Sequence, residues 1–252
     1  MYTMAITRKP GRNFAQGITS SRLGTPDYDM MIDQHLAYIE TLRSLGLQVI
    51  VLEALDAFPD ACFVEDTAIV TPEVAVLAHP GATSRRGEEA AMEPVLAQYR
   101  RIEHITPPAT LEGGDVLMIG RWCFIGISQR TNREGAAQLG QILEGYGYTW
   151  VEIPLQEGLH LKSGVNCVGK NTLLVTEEFY KLPMFKDFKK IVINQDEEYA
   201  ANTLLVNECL ITPKGFHTTR EKLSELGFPI IELEMSEVRK MDGGLTCMSL
   251  RF

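Results

Sequence analysis

The chain has 252 residues, 45% of them hydrophobic, and a formal net charge of −9. That composition supports an ordinary buried core and disfavours a nucleic-acid phosphate backbone as partner. No apolar run is long enough to span a bilayer, and the start, MYTMAITRKPGRN, lacks the apolar core and cleavage site of a signal peptide.

The elements alternate in a regular order. Tyr2 to Thr7 reads as a strand. Asp27 to Leu45 reads as a helix, with apolar spacing at Met30, Leu36, Ile39, Leu42 and Leu45 and a stop at Gly46. Gln48 to Leu52 is the next strand, and FVEDTAIV opens a hairpin that turns at Pro72 and Glu73. A helix over Gly87 to Gln98 and a strand over Arg101 to Ile105 follow. LEGGDVLMIG opens the second hairpin, turning at Gly120 and Arg121. The helix Thr131 to Leu143 starts at a capping box, Thr131 with Glu134, and ends near Gly145. After the strand Tyr148 to Ile153, LKSGVNCVG turns at Gly169 and Lys170. Glu177 to Phe188 is a helix interrupted by Pro183, and Ile191 to Ile193 is a strand. AANTLLVNECLI turns at Asn207 and Glu208. A helix over Thr218 to Leu226, with a second capping box Thr218/Glu221, ends at Gly227 before the strand Ile230 to Leu233. The chain closes on GGLTCMSLRF, an apolar terminus where a polar, frayed one is usual.

Aligning the turns gives Glu65, Glu112, Ser163, Asn202 and Gly244 as equivalent starts. They recur at about 40 to 50 residues, a repeat-array spacing. The fifth unit lacks a hairpin partner, which Tyr2 to Thr7 can supply. The expected fold is therefore α/β (α+β): one domain over residues 1–252, a ring of five ββαβ units. A three-layer α/β sandwich is the competing reading of the same alternation.

In such a ring the turns converge on one axis. They supply Glu65 and Asp66, Glu112 and Asp115, His160, and Cys247 from the terminal segment. A Cys/His pair suits nucleophilic attack followed by acid/base work. Carboxylates around a thiolate raise its pKa unless a cation enters, so the set makes electrostatic sense for a cationic substrate such as a guanidinium. The plain alternative is that Glu65, Asp66 and Glu112 are solvated turn residues, and that the glycines 113, 114, 243 and 244 only serve turns. Arg85 and Arg130 open helices, where a cation is disfavoured and a carboxylate ligand would relieve the cost. Neutralisation by Glu88 or Glu134 is the simpler account of them. Cys123, Cys167 and Cys209 lie in apolar runs and read as core, Cys62 adjoins the acidic turn, and His35 reads as structural. Five cysteines with no CxxC pair argue against a disulfide framework or structural zinc, and the expected location is cytoplasmic.

Together these residues give the chain a resemblance to the dimethylarginine dimethylaminohydrolases, guanidino-modifying enzymes of the pentein superfamily. The matching segments are GITSSRLG, HLAYI, FPDACFVED, PGATSRRGE, EGGD, RTNREGA, LHLKSG, DEEYAAN, VNE, TREKL and DGGLTCMSLRF, from Gly17 to Phe252. The resemblance implies a five-bladed β/α propeller with pseudo-five-fold symmetry and hydrolysis of Nω-methylated arginine to citrulline. It implies Cys247 as nucleophile through a covalent thiouronium, His160 as acid/base, and Glu112 as the group that holds the guanidinium and orients His160. Asp66, with Glu65 nearby, would hold the guanidinium. Arg85 and Arg130 would take the α-carboxylate, and Asp60 the α-amino group with the carbonyls of Ile18 and Met241. Residues Phe14 to Leu23 would form a lid, with Gly17 as hinge. No cofactor or metal is implied. The expected partner is a small cationic amino acid, with no nucleic acid or membrane, and a homodimer is compatible. The alternatives are a deiminase of free arginine, an amidinotransferase, and a non-catalytic binder of cationic amino acids.

Overall fold

A computed structural model describes residues 1–155 and 160–252. Leu159 of the LHLKSG segment lies outside them. The strands and helices, in chain order, are β1 (Met4–Arg8), α1 (Tyr28–Ser44), β2 (Gln48–Leu52), β3 (Ala68–Val70), β4 (Val74–Leu77), α2 (Glu93–Leu96) and β5 (Arg101–His104). Next come β6 (Val116–Ile119), β7 (Trp122–Ile127), α3 (Arg133–Glu144), β8 (Thr149–Pro154), β9 (Val165–Cys167), β10 (Thr172–Val175), α4 (Glu177–Tyr180) and β11 (Lys189–Val192). The rest are β12 (Leu204–Val206), β13 (Cys209–Pro213), α5 (His217–Ser224), β14 (Ile230–Leu233), α6 (Ser236–Arg239) and β15 (Leu250–Arg251).

These strands form five separate three-stranded sheets: β3-β4-β5, β6-β7-β8, β9-β10-β11, β12-β13-β14 and β15-β1-β2. Each has an antiparallel pair and a parallel pair around its central strand, as in β4 with β3 and β5. The sequence explains the layering. Central strands are buried along nearly their whole length, so VAVL and TLLV read as unbroken apolar runs. Third strands such as RIEH and KKIV are half-exposed and admit charge. A parallel pair needs a crossover, which the helical segment of each unit provides. The expected pairing of the chain ends is present: Ala5 pairs with Arg251 and Ile6 with Leu250.

Each hydrophobic cluster draws on two sheets. Ile69, Val74 and Val76 pack with Val116, Cys123 and Ile125 under α3. Ile6 and Leu250, from the sheet that holds both termini, pack with Ala68, Ala75 and Leu77.

Several local expectations need correction. In α1 the buried residues are Met31, Gln34, His35, Tyr38, Ile39, Thr41 and Leu42, while Met30 and Leu36 are exposed. Ile39 and Leu42 of the expected stripe are buried and Leu45 packs against the core, whereas Met31 and Tyr38 take the inward places expected of Met30 and Leu36. Asn132, not Thr131, caps α3, accepting the Gly135 amide at 2.8 Å. Thr218 caps nothing; the Glu197 carboxylate accepts the amides of Thr218 and Thr219 at the start of α5. The helix expected over Gly87 to Gln98 is a 3-10 turn and one α-turn, with Pro94 in the latter. α6 has no counterpart in the sequence reading. Among the described residues no helix is long and apolar enough to cross a membrane.

Candidate active site

Short 3-10 turns precede the first strands of four sheets: Val64–Thr67, Gly113–Asp115, Leu161–Ser163 and Gln195–Ala201. The fifth sheet has the segment before β15 in that place. Each turn bonds the next. Gly114 N–H donates to Asp66 at 2.8 Å, Leu161 N–H to Asp115 at 2.9 Å, Asn166 to the Ala201 carbonyl at 2.8 Å, and Thr246 N–H to Asn202 at 2.9 Å. Glu65 N–H then donates to the Cys247 carbonyl at 3.1 Å. The five starts read from the sequence therefore do meet.

The glycines there serve close approach rather than turn conformation. None of 113, 114, 243 and 244 has a positive φ; the left-handed residue is Asp242, at φ 56°. A Cβ on Gly113 would sit 1.9 Å from the Glu65 carbonyl oxygen.

His160 stands on this platform, 7% exposed. Its Nε2 lies 2.8 Å from Glu112 Oε2 and 3.9 Å from Asp66 Oδ1. Burial opposes a charged imidazole, but Asp66, the Glu112 hydrogen bond and Asp115 outweigh it and raise the pKa to about 9. Glu112 is fully buried. It also accepts the Ala82 amide at 3.0 Å and the Arg130 guanidinium at 3.3 Å, while its own amide donates to Thr131 Oγ1 at 3.1 Å. Asp66, despite burial, is held at about 2 by His160 and Arg85, with Arg85 Nη1 at 2.5 Å.

Arg85 is 4% exposed and committed to protein acceptors: Asp66, both oxygens of Glu88, and the carbonyls of Phe63 and Asp60. Glu88 is thus its neutralising partner, as the plain reading had it. Glu134 is not the partner of Arg130, whose guanidinium lies on Glu112.

Cys247 is half-buried. Its thiol is pushed up to about 12 by burial and then by the charges of Glu65 and Asp66. A thiol with no charge and a protonated imidazole are therefore the resting pair at neutral pH. Cys62, Cys123 and Cys209 are buried as core residues, whereas Cys167 is half-buried.

Two small cavities flank Cys247 and His160. One, of about 30 Å³, is lined by eight of the ten residues nominated from sequence: Ile18, Asp60, Asp66, Arg85, Arg130, His160, Met241 and Cys247. Glu112 lies behind His160. The other, of about 70 Å³, runs past Cys247 to Glu65, Lys162, Tyr199, Asn202 and Thr246. Glu65 accepts from Lys162 at 2.6 Å, Thr246 Oγ1 at 2.8 Å and Arg251 at 3.3 Å. It belongs to a neutralised floor. Beyond that floor lies a separate cavity of about 640 Å³, which shares Glu65, Lys162 and Thr246 with the site. Lys162 and Arg251 were missed in the sequence although they lie in the LHLKSG and DGGLTCMSLRF segments, because nothing local marks either one as the partner of Glu65.

Asp66, Glu112 and His160 place ligand atoms within 4.8 Å of one another, close enough to share a metal ion. The same spacing suits the N–H fork of a guanidinium.

Comparisons with known proteins agree with this chemistry. The family model described as N,N dimethylarginine dimethylhydrolase, eukaryotic, matches residues 27–251. The chain is 44% identical, over 254 residues and the full length of both chains, to the dimethylarginine dimethylaminohydrolase of Pseudomonas aeruginosa. A structure of that enzyme, a cysteine-to-serine mutant complexed with citrulline, superposes with a TM-score of 0.99 at 43% identity and full coverage of both chains. A histidine-to-glycine variant of a dimethylarginine dimethylaminohydrolase, as the adduct with S-methyl-L-thiocitrulline, gives a TM-score of 0.98 at 43% identity, again over all of both chains.

Proposed function

The chain belongs to the N,N-dimethylarginine dimethylhydrolase family, and we propose on that premise that it hydrolyses Nω-methylated arginine to citrulline and methylamine or dimethylamine. The observation that carries this reading is Cys247 and His160 sharing cavities with Asp66, Asp60 and Arg130. A methylated arginine needs a nucleophile and acid at its guanidinium carbon, carboxylates at its nitrogens, and opposite charges at its amino-acid end.

In the proposed reaction the guanidinium settles against Asp66 and lowers the cost of ionising Cys247, whose proton goes to solvent. The thiolate bonds to the guanidinium carbon. His160, held by Glu112, gives its proton to the methylated nitrogen, the C–N bond breaks, and the amine leaves a thiouronium. Neutral His160 then takes a proton from water, hydroxide adds to the same carbon, and the C–S bond breaks as the hydroxyl proton passes to the sulfur, giving citrulline and the free thiol. Asp60 would take the α-amino group with the carbonyls of Ile18 and Met241. Arg130 would take the α-carboxylate. Arg85 adds its charge from the same wall while its N–H groups stay on Asp66 and Glu88. Glu65 contributes as the floor beneath Thr246 and Cys247.

The single domain over residues 1–252 is proposed as a closed five-bladed β/α propeller with the site on its axis. The cluster joining the terminal sheet to the β3-β4-β5 sheet supports closure. Five free cysteines support a reducing, cytoplasmic location. Citrulline formation from asymmetric dimethylarginine tests the function, with arginine and agmatine run beside it. Turnover of the parent and none by Cys247→Ser is expected; a folded parent that makes no citrulline overturns the reading.

A further inference from the structure

The segment that covers the amino-acid end of the site is tied down by three carboxylates. Ile18 N–H donates to both oxygens of Asp60, at 3.1 and 3.2 Å. Asp27 N–H, where α1 begins, donates to Glu237 at 2.6 Å. Between them, one oxygen of Asp242 accepts Ser20 N–H at 2.5 Å, Ser20 Oγ at 2.9 Å and Thr19 Oγ1 at 3.2 Å. Thr19 Oγ1 is also within 3.0 Å of the Lys240 carbonyl.

Asp242 is unusual in its backbone as well. Its φ of 56° lies in the left-handed region, which glycine enters freely and which Asp and Asn enter more readily than other side chains, still at some cost. Glycines stand at the next two positions, so a third would be the less strained choice there. Among the described residues the side-chain hydrogen bonds of Asp242 all go to the covering segment, and Asp242 lines both cavities beside Cys247 and His160. Strain of this kind persists where the surroundings over-determine it, and here the surroundings are the lid.

We propose that Asp242 is a positioning residue for the reaction: its carboxylate latches residues 18–20 over the bound amino acid. The latch fixes the Ile18 carbonyl where an α-ammonium would meet it. It also joins lid closure to the wall that carries the nucleophile, because Met241 and Gly243 flank it in the chain. Asp60 cannot serve as the permanent fastening if it turns to the ammonium of the substrate. Asp242 has no such second duty. The assignment of the ammonium rests on the proposed function; the latch itself does not.

The test compares Asp242→Gly, which keeps the backbone conformation and loses the carboxylate, with Asp242→Asn, which tolerates the same φ and keeps one acceptor. Ser20→Ala, on the exposed side of the bond, removes one donor. Three readouts are taken: KM and kcat for asymmetric dimethylarginine, the alkylation rate of Cys247 by uncharged iodoacetamide in the ligand-free protein, and the thermal midpoint. Losing a charge-assisted cluster should favour the open lid by about tenfold, giving a KM rise and faster Cys247 labelling of that order with a smaller change in kcat. Asp242→Asn and Ser20→Ala should fall between Asp242→Gly and the parent, with thermal midpoints close to the parent. KM and labelling unchanged in a folded Asp242→Gly overturn the latch. Should Asp242→Gly fail to fold, unchanged values in folded Asp242→Asn and Ser20→Ala overturn it equally. If the parent makes no citrulline the functional reading fails, and the labelling rates still decide the latch.

Discussion

The ionisation of Cys247 should depend on a cation in the site, and the structure sets the size of the effect. Burial and the neighbouring Glu65 and Asp66 push the thiol up to about 12. At pH 7.5 that leaves about one protein in 30,000 as thiolate, against about one in ten for an unperturbed cysteine. A more basic thiolate is also a better nucleophile, which returns about thirtyfold of that loss. Alkylation of ligand-free Cys247 should therefore run about a hundredfold slower than that of a free cysteine and keep rising with pH beyond 9. A guanidinium charge about 4 Å away, at an effective dielectric of about 20, contributes about 4 kcal/mol, near a thousandfold in the thiolate fraction. The assay is an ultraviolet thiolate titration with Cys247→Ser as blank, run with and without guanidinium ion. A thiolate step at or below pH 8 in the ligand-free protein would refute the reasoning, as would a midpoint that guanidinium leaves in place.

Three further outcomes follow from the same geometry. Lys162→Met removes the 2.6 Å partner of buried Glu65 but leaves Arg251; it should cost about 1 to 3 kcal/mol of stability and lower turnover through the added repulsion on the thiolate. Chemical denaturation and citrulline assays check both, and unchanged turnover counts against the floor. His160 has a folded-state pKa raised to about 9, so its contribution is full below about 6.5 and is lost as pH rises to about 9. In the Cys247→Ser background, His160→Gln should flatten the pH dependence of unfolding by about 3 kcal/mol over that window; an unaltered pH profile rejects the raised imidazole. Gly113→Ala places a Cβ 1.9 Å from a backbone oxygen and should destabilise by about 1 to 3 kcal/mol in a denaturant titration; a neutral midpoint would show that the turns can move apart.

The repeating units were legible because their central strands are buried on both faces and read as apolar runs between turns. The pairing of the chain ends was legible from an apolar C-terminus in need of a partner. Eight nominated residues reach one cavity: Asp66, His160 and Cys247 sit on or beside the turns that start equivalent strands, Arg85 and Arg130 follow the central strands β4 and β7, and Ile18, Asp60 and Met241 come from the connecting segments. What stayed hidden depends on contacts far apart in the chain. Glu65 meets Lys162 across 97 positions and Arg251 across 186, so no local pattern marks the floor. Arg130 opens a helix beside Glu134, yet tertiary packing gives it to Glu112. The face of α1 was placed correctly at Ile39 and Leu42 but not at Met30, because Met30 and Met31 are equally apolar and only the packing beneath decides between them.

The resting charges explain how one site can take up a cation and release the product. The carboxylates nearest the reacting groups already have partners: Asp66 has Arg85, Glu112 has His160 and Arg130, and Glu65 has Lys162 and Arg251. In the proposed reaction an incoming guanidinium therefore meets a nearly compensated wall, and its charge would be what stabilises the thiolate. The ureido group of citrulline is uncharged. Once the C–S bond has broken the guanidinium charge is gone, and burial with the repulsion of Glu65 and Asp66 outweighs the attraction of Lys162, so the sulfur regains a proton and loses its nucleophilicity. The reverse attack is thereby suppressed by the product itself. Citrulline should accordingly leave the Cys247 titration close to that of the ligand-free protein while guanidinium ion lowers it; a citrulline complex with an equally acidic thiol would place the control in the protein rather than in the charge of the ligand.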